Sequence, residues 1–110
     1  MKLPNRDRAA VDPQKITSYL LSVTHPVGRS KARFFRGLGF DEGTAGDLER
    51  ALLEVARTGE VVQTIVVPYG TKFVVDGILR TPAGSAVSVR TVWVVEAGQV
   101  LPRFVTAYPA

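Results

Sequence analysis

The sequence has 110 residues, of which 45% are hydrophobic and 22% are charged, a length and balance that predict one globular domain rather than a disordered chain. It has no cysteine and one histidine, His25, which excludes disulfides, thiolate metal sites and sites built from several histidines. The net charge of +4 favours an anionic partner such as nucleic acid but does not by itself establish one.

Three helices are predicted in the first half of the chain, after an arm or short strand at about residues 8–11. Asp12 is placed as an N-cap with Pro13 at the first helical position, where the missing N–H costs nothing. Thr44 and Asp47 resemble a capping box at the start of the third helix. The predicted helices cover residues 13–22, 29–38 and 44–57. Apolar stripes are expected on the first two, formed by Ile16, Tyr19, Leu20 and Val23 on the first and by Val27, Phe34, Phe35 and Leu38, with Lys31, on the second.

From residue 60 onward the hydrophobic period changes to two and β-branched residues dominate, which predicts strands at residues 60–67, 71–81, 85–96 and 99–108. The short turns between them require antiparallel neighbours. We therefore predict a single α+β domain over residues 1–110. About three N-terminal helices (residues 12–58) pack on one face of a four-stranded antiparallel meander sheet (residues 60–108).

The turn chemistry also predicts the strand register. If Thr81 faces Ser85 across its three-residue loop, Asp76 lies directly opposite Arg90. One face of the sheet is then apolar and is expected to pack on the helices. The residues on this face are Phe73, Val75, Leu79, Val87, Val89 and Trp93. The opposite face carries Lys72, Asp76, Arg80, Arg90 and Arg103.

The stretch from Thr24 to Phe40 holds the only histidine and four cations without an intervening acid. Lys31 falls on the apolar stripe of the second helix and is expected to face the body of the domain. The three arginines of this helix, Arg29, Arg33 and Arg36, are expected to form a solvated face that attracts a polyanion.

Two side chains have both a functional and a structural interpretation. His25 is either a general acid or base near neutral pH or a loop histidine that caps a helix end, and the nearby helix N-terminus with Lys31 predicts an anion site. Arg90 is either a phosphate clamp or an exposed partner of Asp76, a pair that contributes about 0.2 to 1 kcal/mol.

The aromatic residues of the last two strands are also open to two interpretations. Tyr108 either binds a phosphate or base or closes the end of the core, and Trp93 is assigned to the core because its neighbours are apolar. The carboxylates form no evident catalytic pair.

Four segments together resemble a bacterial domain family of uncharacterised function, over nearly the whole chain from Lys2 to Tyr108. They read LLSVTHPVG at residues 20–28, KARFF at 31–35, VRTVW at 89–93 and PRFVTAY at 102–108. Members of that family are small free-standing proteins, and similar domains resemble the C-terminal domains of polymorphic toxins. Helices followed by a four-stranded antiparallel sheet also resemble the barnase, EndoU, colicin and RelE-like ribonuclease superfamily.

The ribonuclease resemblance implies an endoribonuclease that uses neither metal ion nor cofactor, in which the RNA 2′-hydroxyl attacks its own phosphate. His25 would be the acid or base, Lys31 and Arg90 the phosphate stabilisers, and Thr106 or Tyr108 a positioning or proton-transfer hydroxyl. A second proton carrier would be Lys31 or Tyr108. The expected RNA-binding side chains are Arg29, Arg33, Arg36 and Arg103.

RNA and a small acidic antidote or immunity protein are the expected partners, and no membrane is involved. The alternative is a non-catalytic binding module, half of a toxin and antitoxin pair, that holds RNA or an acidic protein on the same basic surface. The sequence has neither a signal peptide nor an apolar run long enough to span a bilayer, so we expect a cytoplasmic protein, although a dedicated toxin-export system needs no such signal.

Overall fold

Helices occupy the first half of the chain and a four-stranded antiparallel sheet the second half, as the computed structural model of residues 1–110 shows. Helix α1 is α-helical at Pro13–Lys15 and continues as a π-helical segment at Ile16–Leu20. The remaining elements are helix α2 at Arg29–Gly37, helix α3 at Ala45–Thr58, and strands β1 at Glu60–Val67, β2 at Gly70–Arg80, β3 at Ala86–Glu96 and β4 at Arg103–Pro109. The α+β class, the three helices and the β1-β2-β3-β4 meander are confirmed.

The structure confirms the predicted N-cap of α1 but not the predicted capping box of α3. The Asp12 carboxylate accepts a hydrogen bond from Gln14 N at 2.9 Å, as predicted. The box predicted for Thr44 and Asp47 is wrong, because a short 3-10 turn at Glu42–Thr44 precedes α3 and the box closes around that turn. Asp41 Oδ1 accepts from Thr44 N at 3.1 Å, and Thr44 Oγ1 accepts from Asp41 N at 2.8 Å.

Strand β4 begins at Arg103 rather than at residue 99, because Gln99 N donates to Glu96 O at 2.9 Å and closes a turn there. The predicted N-terminal arm lies beside β4. Ala10 N donates to Pro102 O at 3.0 Å, and Phe104 N donates to Ala10 O at 2.9 Å. This arm therefore forms a short parallel bridge with the start of the strand.

The predicted register between β2 and β3 is confirmed, with Asp76 opposite Arg90. A β-bulge at Val92/Trp93 then shifts the pairing of β3 with β4 by one residue. As a result Thr106 lies opposite Val92 and Tyr108 lies opposite Arg90. Because side chains alternate between faces, these residues share the sheet face that points away from Trp93.

One buried cluster contains side chains from the helices and from alternate positions of β2 and β3. Its members include Leu20, Phe35, Leu48, Leu52 and Val55 of the helical part and Phe73, Val75, Leu79, Val89 and Trp93 of the sheet. Trp93 Nε1 donates to Thr91 Oγ1 at 2.7 Å, and Thr91 Oγ1 donates to Val75 O at 2.9 Å. The one buried indole nitrogen therefore has a partner inside the core.

The apolar stripe of α2 is shorter than predicted. Val27 is expected on this stripe, but its side chain is 65% exposed because it lies in the turn before α2 and does not follow the helical period. Val23, expected on the stripe of α1, lies beyond the end of that helix and is also exposed. Ala32 and Phe35 are the buried side chains of this helix. None of the helices is long and apolar enough to cross a membrane.

Candidate functional site

Tyr19, on the π-helical part of α1, is the side chain around which several predicted site residues meet. Its Oη is hydrogen-bonded to Thr106 Oγ1 of β4 at 2.9 Å. The His25 ring stands edge-on to the phenol ring, with the ring centroids 5.2 Å apart. The ammonium groups of Lys15 and Lys31 lie 5.3 and 5.8 Å from the centroid of the phenol ring. We call these five residues the Tyr19 cluster.

Local backbone features explain why the cluster forms. The hydrogen bond from Leu21 N to Ile16 O, 2.9 Å long, closes the wide π-helical turn that carries Tyr19. Gly28 then brings the following turn against this residue, because a Cβ at position 28 would lie 2.5 Å from Tyr19 O and 2.9 Å from Tyr19 Cδ1. Single π-helical turns occur frequently at functional sites.

The imidazole of His25 closes the turn that precedes α2. Its Nδ1 accepts hydrogen bonds from Val27 N at 3.1 Å and from Gly28 N at 2.9 Å. A ring nitrogen that accepts such bonds carries no proton, so the neutral ring carries its proton on Nε2. Because the protein's own side chain binds these amides, the phosphate predicted at this helix N-terminus would have to compete with His25 for them.

The two lysines of the cluster bring positive charge that no carboxylate neutralises. Lys15 Nζ donates to the backbone oxygen of Val105 at 3.2 Å, and Lys31 is half-buried beside Tyr19. Neither ammonium group has a carboxylate within ion-pair distance. Lys31 thus turns toward Tyr19 of α1, whereas Arg29 and Arg33 of the same helix are exposed.

Arg90 and Tyr108 lie next to the cluster on the same face of the sheet as Thr106. Arg90 Nε and Nη2 bind the Asp76 carboxylate at 2.7 and 2.8 Å, the geometry of the structural interpretation. The hydrogen bonds from Arg90 hold the pKa of Asp76 below its ordinary value, against the opposing effect of burial. The Arg90 side chain is still 40% exposed, and its other N–H groups have no partner in the protein.

The four predicted RNA-binding arginines fall into two groups. Arg29 and Arg33 are exposed on α2 and take part in no ion pair. Arg36 pairs with Glu42 and also donates from Nε to the backbone oxygen of Leu21, and Arg103 pairs with Glu96. The positive charge of α2 that remains free is therefore concentrated near its N-terminal end.

The five side chains of the Tyr19 cluster are half-buried and lie outside the cavities of the protein. The largest cavity, about 320 Å³, is lined by Ala10, Glu96, Gln99, Leu101 and Arg103, and no cavity is lined by a residue of the cluster. No three or more histidine, aspartate or glutamate side chains lie close enough together to hold a metal ion.

Sequence reasoning placed Tyr19 only on the apolar stripe of the first helix and did not identify Lys15 as a site residue. The available signal was a tyrosine among the aliphatic residues of that stripe, with Lys15 four positions earlier on the same face of the helix. The contact with Thr106 spans 87 residues of sequence and has no local signal.

Comparisons with known proteins identify the fold and the family. A search of the curated proteins found no match. Among solved structures, a chain of the "Contact-dependent growth inhibition toxin - immunity protein complex from Klebsiella pneumoniae 342" superposes with a TM-score of 0.71 at 19% sequence identity, over 94% of this chain and 95% of that chain. At this identity the likeness shows a shared fold. A family model described as "Domain of unknown function (DUF6883)" matches residues 2–110, and the chain therefore belongs to this domain family.

Proposed function

We propose that this domain is a ribonuclease-like toxin domain that cleaves RNA by transesterification without a metal ion. Its site would comprise the Tyr19 cluster, Arg90 and Tyr108. The observation that carries the proposal is the cluster itself, in which two lysines without carboxylate partners, a histidine and two hydroxyl groups converge at β4. The fold shared with a chain of a toxin and immunity protein complex supports a role of this kind by analogy.

The arrangement suits an extended polyanion. The two lysines of the cluster lie beside Tyr19, and the exposed Arg29 and Arg33 add free positive charge on the helix that carries Lys31. The helices would cover one face of the sheet and leave the face of Arg90 and Tyr108 open to RNA. An open surface admits a polymer more readily than a closed pocket would, and cations contribute most of the sequence-independent affinity for a phosphate backbone.

The reaction would use the predicted residues in modified roles. Lys31 and Arg90 would stabilise the charge of the phosphorane-like transition state, and Tyr108 would donate a hydrogen bond to a phosphate oxygen. Thr106 would be a positioning hydroxyl that donates its proton to Tyr19 Oη. His25 would become a hydrogen-bond donor through Nε2–H rather than a proton carrier. Accepting a proton at Nε2 would require the ring proton to move to Nδ1 and both amide hydrogen bonds to break, at about 1 to 3 kcal/mol each.

Cleavage of total bacterial RNA by the purified protein tests the proposal, together with growth after induction in bacteria. Lys31→Ala and Thr106→Ala are expected to reduce cleavage about 10²-fold or more, the typical effect of removing a group that stabilises transition-state charge. Arg50→Ala is the matched control, because this exposed arginine pairs with Asp47 on α3, away from the cluster. Intact RNA and normal growth with the folded wild type would rule out the enzyme.

Two substitutions separate the roles of His25. Asparagine at this position can accept the same two backbone amides but has no Nε2–H, whereas alanine can do neither. We expect His25→Asn to keep the unfolding temperature and lose cleavage, and His25→Ala to lose both. Wild-type cleavage by His25→Asn would mean that the histidine only closes the turn.

The second candidate function is a non-catalytic binding module of a toxin and antidote pair, which would hold RNA or an acidic protein on the same surface. The pairing of Arg90 with Asp76 favours it, because this pair already neutralises one proposed phosphate stabiliser. A mobility shift of RNA that stays intact, weakened by Lys31→Ala, would support this function over catalysis.

A further inference from the structure

We infer that Tyr19 is the general acid of the site, which protonates the 5′-oxygen that leaves when the RNA backbone is cut. This inference rests on the proposed function. It adds a catalytic residue that the sequence pattern had assigned to the apolar stripe of the first helix. It also assigns the protonation of the leaving 5′-oxygen, which His25 is poorly placed to perform.

The position of the phenol supports this role. Tyr19 Oη is fixed by its 2.9 Å hydrogen bond to Thr106 Oγ1, whose residue lies on the open sheet face beside Tyr108 and Arg90. Tyr108 is the other phenol near the site, but its hydroxyl makes no hydrogen bond within the protein. Tyr19 is therefore the phenol whose hydroxyl is already held in place at the edge of that face.

Two positive charges lie close to the phenol ring of Tyr19. A phenol that gives up its proton becomes a phenolate, and the ammonium groups of Lys15 and Lys31 lie 5.3 and 5.8 Å from its ring centroid. Two positive charges at this range stabilise the anion, and no carboxylate neutralises either of them. The His25 ring packs edge-on against the phenol ring and helps to hold the Tyr19 side chain in place.

The reaction exchanges one P–O bond of the RNA backbone for another. The 2′-hydroxyl oxygen attacks phosphorus and forms the new O2′–P bond, while its proton passes to water. The P–O5′ bond breaks, and O5′ takes the proton of Tyr19 Oη to leave as a 5′-hydroxyl. The products are a 2′,3′-cyclic phosphate and a 5′-hydroxyl, and solvent returns a proton to the phenolate.

The test compares two RNA oligonucleotides that span a cleavage site first mapped in total RNA. One has the natural oxygen at the 5′ bridging position, and the other has sulfur there, which leaves as a thiolate without protonation. On the oxygen substrate, Tyr19→Phe should lower kcat about 10² to 10⁴-fold with little change in KM, the usual contribution of a general acid. On the sulfur substrate, Tyr19→Phe and the wild type should cleave at nearly equal rates.

An exposed tyrosine outside the cluster provides the control. Tyr69→Phe removes the same atom from an exposed tyrosine in the β1–β2 turn and should cleave both substrates like the wild type. An equal loss on both substrates with Tyr19→Phe would overturn the inference, because it would mean that the hydroxyl only positions other groups. Wild-type rates with this variant would also overturn it and leave the proposed ribonuclease intact, whereas a wild type that cleaves no RNA would refute both.

Discussion

The geometry of the Tyr19 cluster is predicted to depend on the close contact between Gly28 and Tyr19. A Cβ at this position would lie 2.5 Å from the backbone oxygen of Tyr19 and 2.9 Å from its ring carbon Cδ1. The backbone oxygen cannot rotate away, so α1 and the turn before α2 must separate to admit the methyl group. Overpacking of this kind costs about 1 to 3 kcal/mol.

The expected result of Gly28→Ala is a lower unfolding temperature in a circular dichroism melt, by about 4 to 15 °C for a domain of this size. Cleavage of RNA should fall further than the folded fraction does, because the Tyr19 hydroxyl shifts relative to Thr106. Gly37→Ala is the matched control, because no atom lies within 4 Å of a Cβ there. Alanine at the end of α2 should leave stability unchanged or raise it by up to about 1 kcal/mol.

A Gly28→Ala variant as stable as the wild type would refute this reasoning, because the close approach of the two segments would then be absent. An equal loss of stability in Gly28→Ala and Gly37→Ala would also contradict it, since only the first glycine has a close neighbour.

Three further stability predictions follow from named contacts and can be measured by urea unfolding. Asp41→Ala should cost about 0.5 to 2 kcal/mol because it removes the capping box, whereas Asp47→Ala removes only an exposed ion pair and should cost less than about 1 kcal/mol. Thr91→Val should cost about 1 to 3 kcal/mol because it leaves the buried indole N–H without a partner. Arg90 lowers the pKa of Asp76, so this carboxylate stabilises the fold above its unfolded pKa of about 3.9, and the stability is lost as the pH falls through the lower folded value. Asp76→Asn should therefore be less stable than the wild type at pH 7 and lose less stability on acidification.

The features predicted correctly from the sequence are those with local causes. The alternation of β-branched residues and the short turns determined the sheet order, and the three-residue loop after Thr81 determined the pairing of Asp76 with Arg90. Asp12 and Pro13 determined the start of α1. Each of these signals lies within a few residues of the structure it predicts.

The features missed from the sequence depend on irregular backbone or on distant contacts. A helical period of 3.6 residues does not describe the π-helical turn of α1, so the pattern could not place Tyr19 beside β4. The 3-10 turn before α3 is also outside the regular helical pattern. The capping box therefore forms between Asp41 and Thr44 rather than between Thr44 and Asp47. The hydrogen bonds of His25 to the amides two and three residues later are local, and they are of the kind that the structural interpretation of this histidine expects.

The chemical ends of RNA treated with the purified protein test the central claim most directly. Total bacterial RNA is incubated with the wild type in the presence of EDTA, and the new ends are identified by their reactivity toward RNA ligases and polynucleotide kinase. The proposed mechanism predicts 2′,3′-cyclic phosphate and 5′-hydroxyl ends, formed at a rate that EDTA does not change. Intact RNA, or 3′-hydroxyl ends that require a divalent cation, would contradict it.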